Sequence, residues 1–331
     1  MKKIVNDTNQ VVTEMLEGFM EAYGQAYEKL PDVNGIVLKD RKEKVAVVIG
    51  GGSGHEPMFF GFVGEGLADG VAVGNVFAAP TPNTVYEVAK AVNSGKGVLF
   101  VYGNYAGDVL NFNMGAELCE MDGIPTKTVL VCDDVASAPR DRADDRRGIA
   151  GDVFVFKIAG AAANKGLSLE EVARITEKAR DNTRSIGVAL TPGSIPDTGK
   201  PTFTLADDEI EFGMGIHGEP GVQRTKLMKA DELTDVMMKE LLQDLPFARG
   251  DEVCVLINGL GSTTLMEMFI VNRRVAQILR ELGIKVHDSD VNSYCTTQEM
   301  GGLSITLMRL DEELKEYYDA PAYSPFYIKK G

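Results

Sequence analysis

Between residues 8 and 23, Val12, Met15, Leu16, Phe19, Met20 and Tyr23 recur at the spacing that lines one face of a helix. Val45-Ala46-Val47-Val48-Ile49 instead forms a short continuous apolar run. Such a run reads as a buried strand, and this one empties directly into Gly50-Gly51-Gly52. Further apolar runs cover 71–77, 97–102 and 127–132, separated by helical segments near 82–93 and 109–121. Strands alternating with helices predict an α/β domain with a largely parallel sheet, whose ligands bind beyond the carboxyl ends of the strands.

Residues 152–182 read as two helices joined at Asn164-Lys165-Gly166, with Ser168 as an N-cap and Glu170 and Glu171 in the first turn that follows. A strand is predicted over 186–190, then a loop rich in proline and glycine over 191–201. Beyond it the texture changes to alternating strands at 209–216, 252–258, 284–291 and 303–310, with helices near 230–243 and 263–282. The change places a boundary near residue 185. The expectation is two α/β domains, 1–185 and 186–331, each with a mainly parallel or mixed sheet flanked by helices; 331 residues suffice for both.

Two of the three histidines occupy similar glycine-rich settings. One lies in Gly50-Gly51-Gly52-Ser53-Gly54-His55-Glu56-Pro57, the other in Gly213-Met214-Gly215-Ile216-His217-Gly218-Glu219-Pro220-Gly221. Glycine lets backbone approach a ligand and exposes N–H donors. A histidine there can act as base, acid or nucleophile near neutral pH. His287 differs: Ile284-Lys285-Val286-His287-Asp288 alternates like a half-buried strand, and it reads as a partly satisfied structural histidine. Asp108 follows the strand-like 97–102 run through Gly103-Asn104-Tyr105-Ala106-Gly107, at the start of a helix. By the strand-end rule it shares a rim with His55, and in isolation it reads equally as an N-cap or a catalytic acid.

Composition narrows the chemistry. A net charge of −15 disfavours nucleic acid and anionic membrane surfaces as partners. The mixed-sign stretch Asp141-Arg142-Ala143-Asp144-Asp145-Arg146-Arg147 reads as a solvated loop. Cys119, Cys132, Cys254 and Cys295 are scattered without metal or redox spacing, and the start of the chain lacks the apolar core of a signal peptide. A cytoplasmic location is the expectation. No nucleotide motif closes: no Gly-Lys-Ser/Thr follows Gly50-Gly51-Gly52, and His55 after that run and Thr264 after Gly259-Leu260-Gly261 stand where dinucleotide fingerprints need a third glycine. His55-Glu56 has no second histidine four residues on, which excludes a zincin helix, and no metal site is expected.

Taken together, these stretches resemble the substrate-binding K subunit of dihydroxyacetone (glycerone) kinase. The resemblance rests on 50–57, Pro80-Thr81-Pro82, Asn104-Tyr105-Ala106-Gly107-Asp108, Lys200-Pro201-Thr202-Phe203-Thr204-Leu205-Ala206-Asp207, 211–221 and Tyr294-Cys295-Thr296-Thr297, and spans nearly the whole chain. It implies a homodimer serving glycerol metabolism. It also implies that His217 forms a hemiaminal with the substrate ketone, that His55 is the base for the attacking hydroxyl, and that Asp108 binds that hydroxyl. Gly52, Ser53 and Gly54 would line the pocket. The chain ends without the extra nucleotide domain of single-chain relatives. The expected partner is therefore an L subunit carrying adenine nucleotide and Mg²⁺, charged ultimately from phosphoenolpyruvate through a phosphotransferase-system protein. Many K subunits carry lysine where this chain has Gly103, so a four-carbon ketose such as erythrulose is an alternative substrate. A dihydroxyacetone-sensing coactivator is the alternative outside catalysis.

Overall fold

The computed structural model describes residues 2–219 and 221–331, which divide into two compact units. The first, the His55 unit, comprises Lys2–Val131, Val153–Ala179 and Leu314–Gly331; the second, the His217 unit, comprises Cys132–Asp152 and Arg180–Glu313. The chain passes between the units at 131/132, 152/153, 179/180 and 313/314. The segments 132–152 and 314–331 do not follow a single cut, because each packs with residues distant in sequence.

In the His55 unit, α1 (Val11–Tyr23) leads into β1 (Tyr27–Lys29), β2 (Gly35–Leu38), β3 (Ala46–Ser53) and β4 (Gly70–Val76). Then follow α2 (Pro82–Val92), β5 (Val98–Gly103), α3 (Ala106–Met121) and β6 (Thr126–Val131). The Thr81 hydroxyl caps α2 by accepting from the Thr84 N–H, and Pro82 occupies its first turn. The six strands run in the order β1-β2-β4-β3-β5-β6. β4, β3, β5 and β6 pair in parallel, whereas β1 and β2 pair antiparallel at one edge. The apolar runs that form β3 and β5 are parallel strands buried on both faces, which explains why they lack alternation, whereas β6 at the edge is partly exposed. Val48, Val85, Val88, Phe100 and Phe112 belong to the core between this sheet and its helices. α4 (Asp152–Asn164) and α5 (Leu169–Asp181) follow the sheet. Ser168 precedes α5 as expected, its hydroxyl accepting from the Glu171 N–H at 3.3 Å.

The His217 unit holds β7 (Thr183–Thr191), β8 (Glu209–Phe212), β9 (Gln223–Lys226), α6 (Ala230–Asp244), β10 (Glu252–Gly259), α7 (Leu265–Leu282), β11 (Lys285–Asn292) and β12 (Gly301–Leu310). Strand order is β11-β10-β12-β7-β8-β9, and only β10 and β11 pair in parallel. Ile186, Ile210, Met237, Val255, Val275 and Ile305 lie in its core. The chain then returns α8 (Glu312–Asp319), β13 (Ala322–Tyr323) and β14 (Ile328–Lys329), nearly all of it to the His55 unit. There Lys157 of α4 donates to the Tyr317 carbonyl at 2.7 Å. No helix among the described residues is long and apolar enough to cross a membrane.

Candidate active site

β3 is buried along its whole length, and its pairing with β4 shifts register between Gly51 and Ser53, where the glycine loop leaves the sheet. Glycine is needed here for packing. A Cβ on Gly51 would meet the Phe59 ring at 2.2 Å, and one on Gly52 would meet the Ala78 nitrogen at 2.9 Å. The Ser53 hydroxyl donates to the Gly74 carbonyl at 2.7 Å. Gly54, at φ 102°, donates its N–H to both oxygens of Glu56, at 2.9 and 3.1 Å. Burial pushes the Glu56 carboxyl up despite that N–H.

His55 is fully buried, its ring edge-on to Phe59 and tilted against Phe77, with centroids 6.4 and 5.2 Å away. Asp108 is the third residue of α3, whose N-cap is Tyr105, so it is not a cap itself. It is buried in the first turn, where the helix dipole favours a carboxylate. Because β3 and β5 are neighbouring parallel strands, His55 and Asp108 both follow adjacent carboxyl ends of one sheet, where open α/β sheets place ligands. Below them, Tyr102 stacks on Phe112 with centroids 4.0 Å apart. Burial, then the Asp108 charge, pushes its phenol well up.

In the His217 unit, β8 and β9 form a hairpin whose long loop carries the second motif; Pro220 lies outside the described residues. His217 Nδ1 lies 2.9 Å from one oxygen of Glu219, and the His217 backbone N–H donates to the other at 3.0 Å. Burial works to raise the Glu219 carboxyl, but the hydrogen bond and charge of His217 outweigh it and hold it down at about 2. An ionised carboxylate can only accept. Nδ1 therefore carries a proton, and in the neutral ring the lone pair then falls on Nε2, the arrangement a nucleophile needs. His217 keeps 23% of its side chain exposed.

Two motifs from the sequence converge on this loop. Thr202, from the Lys200–Asp207 stretch, lies where a Cβ on Gly218 would approach it to 3.0 Å. Thr297, from the Tyr294–Thr297 stretch, donates its hydroxyl to the Ile216 carbonyl at 2.6 Å. The mixed-sign stretch needs correction. Asp141, Arg142, Asp144 and Asp145 are exposed, but Arg146 is 1% exposed and paired with Asp244, and Arg147 reaches Asp134 and the Gly213 carbonyl. Both arginines find partners far along the chain, which no local pattern reports. His287 sits on β11 with Nδ1 3.1 Å from Glu252, in keeping with a structural histidine. Among the described residues, no group of three or more His, Cys, Asp or Glu is arranged to hold a metal ion.

One unit thus carries a buried histidine and aspartate at a strand-end rim, and the other a partly exposed histidine held by a carboxylate. The Dak1 domain family model matches residues 17–326, and the chain belongs to that family. It is 48% identical, over 99% of both chains, to the PTS-dependent dihydroxyacetone kinase 2, dihydroxyacetone-binding subunit DhaK, of Listeria innocua. It is 44% identical to the D-erythrulose kinase of Mycolicibacterium smegmatis, covering all of this chain and 57% of that enzyme. Among solved structures it resembles the dihydroxyacetone kinase operon co-activator Dha-DhaQ, with a TM-score of 0.90, 31% identity, and 96% and 98% of the two chains covered.

Proposed function

We propose that this chain is the ketose-binding subunit of a dihydroxyacetone kinase and captures its substrate covalently on His217. The coarse class is firm: a kinase subunit whose acceptor is an alcohol group. The covalent step rests above all on the His217–Glu219 pair. The Nε2 lone pair adds to the ketone carbon, and the carbonyl π pair moves to oxygen. The alkoxide takes up one proton and the ring gives up its Nδ1 proton, so the adduct is neutral. Glu219 faces the positive charge while those protons move. An alcohol offers no such carbon, so glycerol is rejected by the absence of a bond.

His55 then acts as base toward the hydroxyl that attacks phosphorus, with Asp108 binding that hydroxyl. Phosphate arrives on a separate subunit holding adenine nucleotide and Mg²⁺, recharged from phosphoenolpyruvate through a phosphotransferase-system protein. This chain has no Gly-Lys-Ser/Thr loop, and the guanidinium at the His217 loop, Arg147, is already paired with Asp134, which suits a neutral ketose better than a triphosphate. Gly103 ends β5 without a side chain and supports a second reading, in which a four-carbon ketose such as erythrulose is the substrate. The same position carries lysine in many K subunits, and an erythrulose kinase stands among the relatives. The combination of His55 with Asp108 favours catalysis over the sensing role named for the co-activator.

The test is ¹³C NMR of dihydroxyacetone labelled at the ketone carbon. On binding, the signal should leave the ketone region for the sp³ region, and His217→Ala should abolish the change. Running erythrulose in parallel, with phosphorylation assays plus and minus the nucleotide subunit, ranks the substrates and identifies the donor. Product formed from ATP by this chain alone would refute the two-subunit reading.

A further inference from the structure

The loop that carries His217 has glycine at 213, 215, 218 and 221, and Gly213 and Gly218 sit at φ 70° and 84°. Glycine loses more conformational freedom on ordering than any other residue, so such a loop does not hold a side chain in place unaided. Among its described residues, the Gly215 N–H donates to the Glu219 carbonyl at 3.2 Å, and the Gly218 N–H to the Gly215 carbonyl at 3.1 Å. The remaining order comes from outside.

At the loop's ends the Gly213 N–H donates to the Gly187 carbonyl at 2.8 Å and the Gly221 N–H to Glu211 at 2.7 Å, and two side chains take hold of its carbonyls nearer His217. Arg147 Nη2 donates to the Gly213 carbonyl at 2.8 Å, and the Thr297 hydroxyl to the Ile216 carbonyl at 2.6 Å. Arg147 is itself locked, with Nε and Nη2 donating to Asp134 at 3.1 and 2.7 Å. Asp134 is buried and also accepts the Ala136 N–H. Thr297 is fully buried and its own N–H donates to the Leu260 carbonyl at 2.8 Å. A Cβ on Gly215 would fall 2.6 Å from Arg147 Nη1 and 2.1 Å from Glu219 Oε2. The guanidinium and the carboxylate that holds His217 therefore meet on the same side of one Cα.

We propose that Arg147 and Thr297 are positioning residues for ketone capture, clamping the Gly213 and Ile216 carbonyls of the segment that leads into His217. The idea rests on the covalent reading of His217 and adds what fixes its nitrogen. A displacement of about 1 Å can cost on the order of a hundredfold in a reaction that depends on near-attack geometry.

Thr297 offers the decisive pair of variants. Thr297→Val keeps the shape and removes the hydroxyl; Thr297→Ser keeps the hydroxyl and removes a methyl. Adduct formation by labelled ketose should weaken about tenfold or more in Thr297→Val and stay within about threefold of the parent in Thr297→Ser. Arg147→Met should lose capture similarly, and Arg147→Lys should recover part of it. A packing role predicts the reverse order at Thr297, and full capture by Thr297→Val overturns the proposal. The ¹⁵N spectrum of the imidazole in ligand-free protein separates this failure from that of covalent capture. The parent should show one tautomer, protonated on Nδ1, and Thr297→Val a mixture. If the parent forms no adduct, the covalent reading fails. In that case the tautomer comparison alone decides the clamp, a mixture in Thr297→Val supporting it and an unchanged single tautomer overturning it.

Discussion

The two histidine loops read almost alike, His-Glu-Pro and His-Gly-Glu-Pro, and one inserted residue makes them chemically different. In both, the glutamate folds back to accept the backbone N–H two positions before it, at 2.9 Å from Gly54 and 3.0 Å from His217. In the first loop that position is a glycine, so the carboxylate braces bare backbone and His55 turns away among aromatic rings. In the second, Gly218 separates histidine from glutamate, and the same fold-back delivers the carboxylate to the imidazole. The carboxyls diverge accordingly: burial raises Glu56, whereas His217 pulls Glu219 down to about 2. One spacing ties the carboxylate to backbone alone, the other to backbone and imidazole together.

The largest expected effect separates the histidines by function. His55→Ala should lose turnover by roughly 10²–10⁴-fold while still forming adduct, the usual loss for one acid–base group. Near-normal turnover would remove His55 from the chemistry. Glu219→Gln should weaken capture by about ten- to a hundredfold, since the neutral amide replaces a charge-assisted hydrogen bond by a weaker one of either polarity. Glu56→Gln should leave capture unchanged, and equal losses in the two variants would end the distinction between the loops.

Acid should affect the loops in opposite directions. Glu219 has a depressed carboxyl in the folded chain, so its contribution is present above the ordinary carboxylate range and is lost as pH falls from about 4.5 toward 2. Glu56 is raised, so its burial costs stability at neutral pH, and that cost is relieved as pH falls through its folded value. Urea titrations of the parent and the two glutamine variants at several pH values would show whether the signs differ. The smallest effect concerns the inserted glycine: Gly218→Ala should cost about 1–2 kcal/mol because its φ of 84° is unfavourable for a residue with a Cβ. A thermal melt matching the parent would show that the loop does not need that conformation.

Much of the fold was legible because its signals are local. The run 45–49 is a buried parallel strand, the periodic stretch 8–23 contains α1, and Ser168 caps α5 through its own third neighbour. β1 and β9 escaped notice because they are short edge strands: Tyr27-Glu28-Lys29 and Gln223-Arg224-Thr225-Lys226 carry little apolar pattern. The discontinuous units escaped because the partners are remote, as when Arg146 pairs with Asp244 ninety-eight positions away. At the site, both histidine loops and Asp108 stood out through glycine and strand-end placement. The grip of Glu219 on His217 could have been read from their spacing. The Arg147 contact with Gly213 had no local signal, since the carbonyl it reaches lies sixty-six positions away in the chain.

The account turns on His217 being the nucleophile and His55 not. Ketone-labelled dihydroxyacetone observed by ¹³C NMR with the parent, His55→Ala and His217→Ala tests this in one experiment. The sp³ carbon signal should appear with the parent and with His55→Ala and be absent with His217→Ala. An adduct that survives in His217→Ala, or disappears in His55→Ala while that variant remains folded, would contradict it.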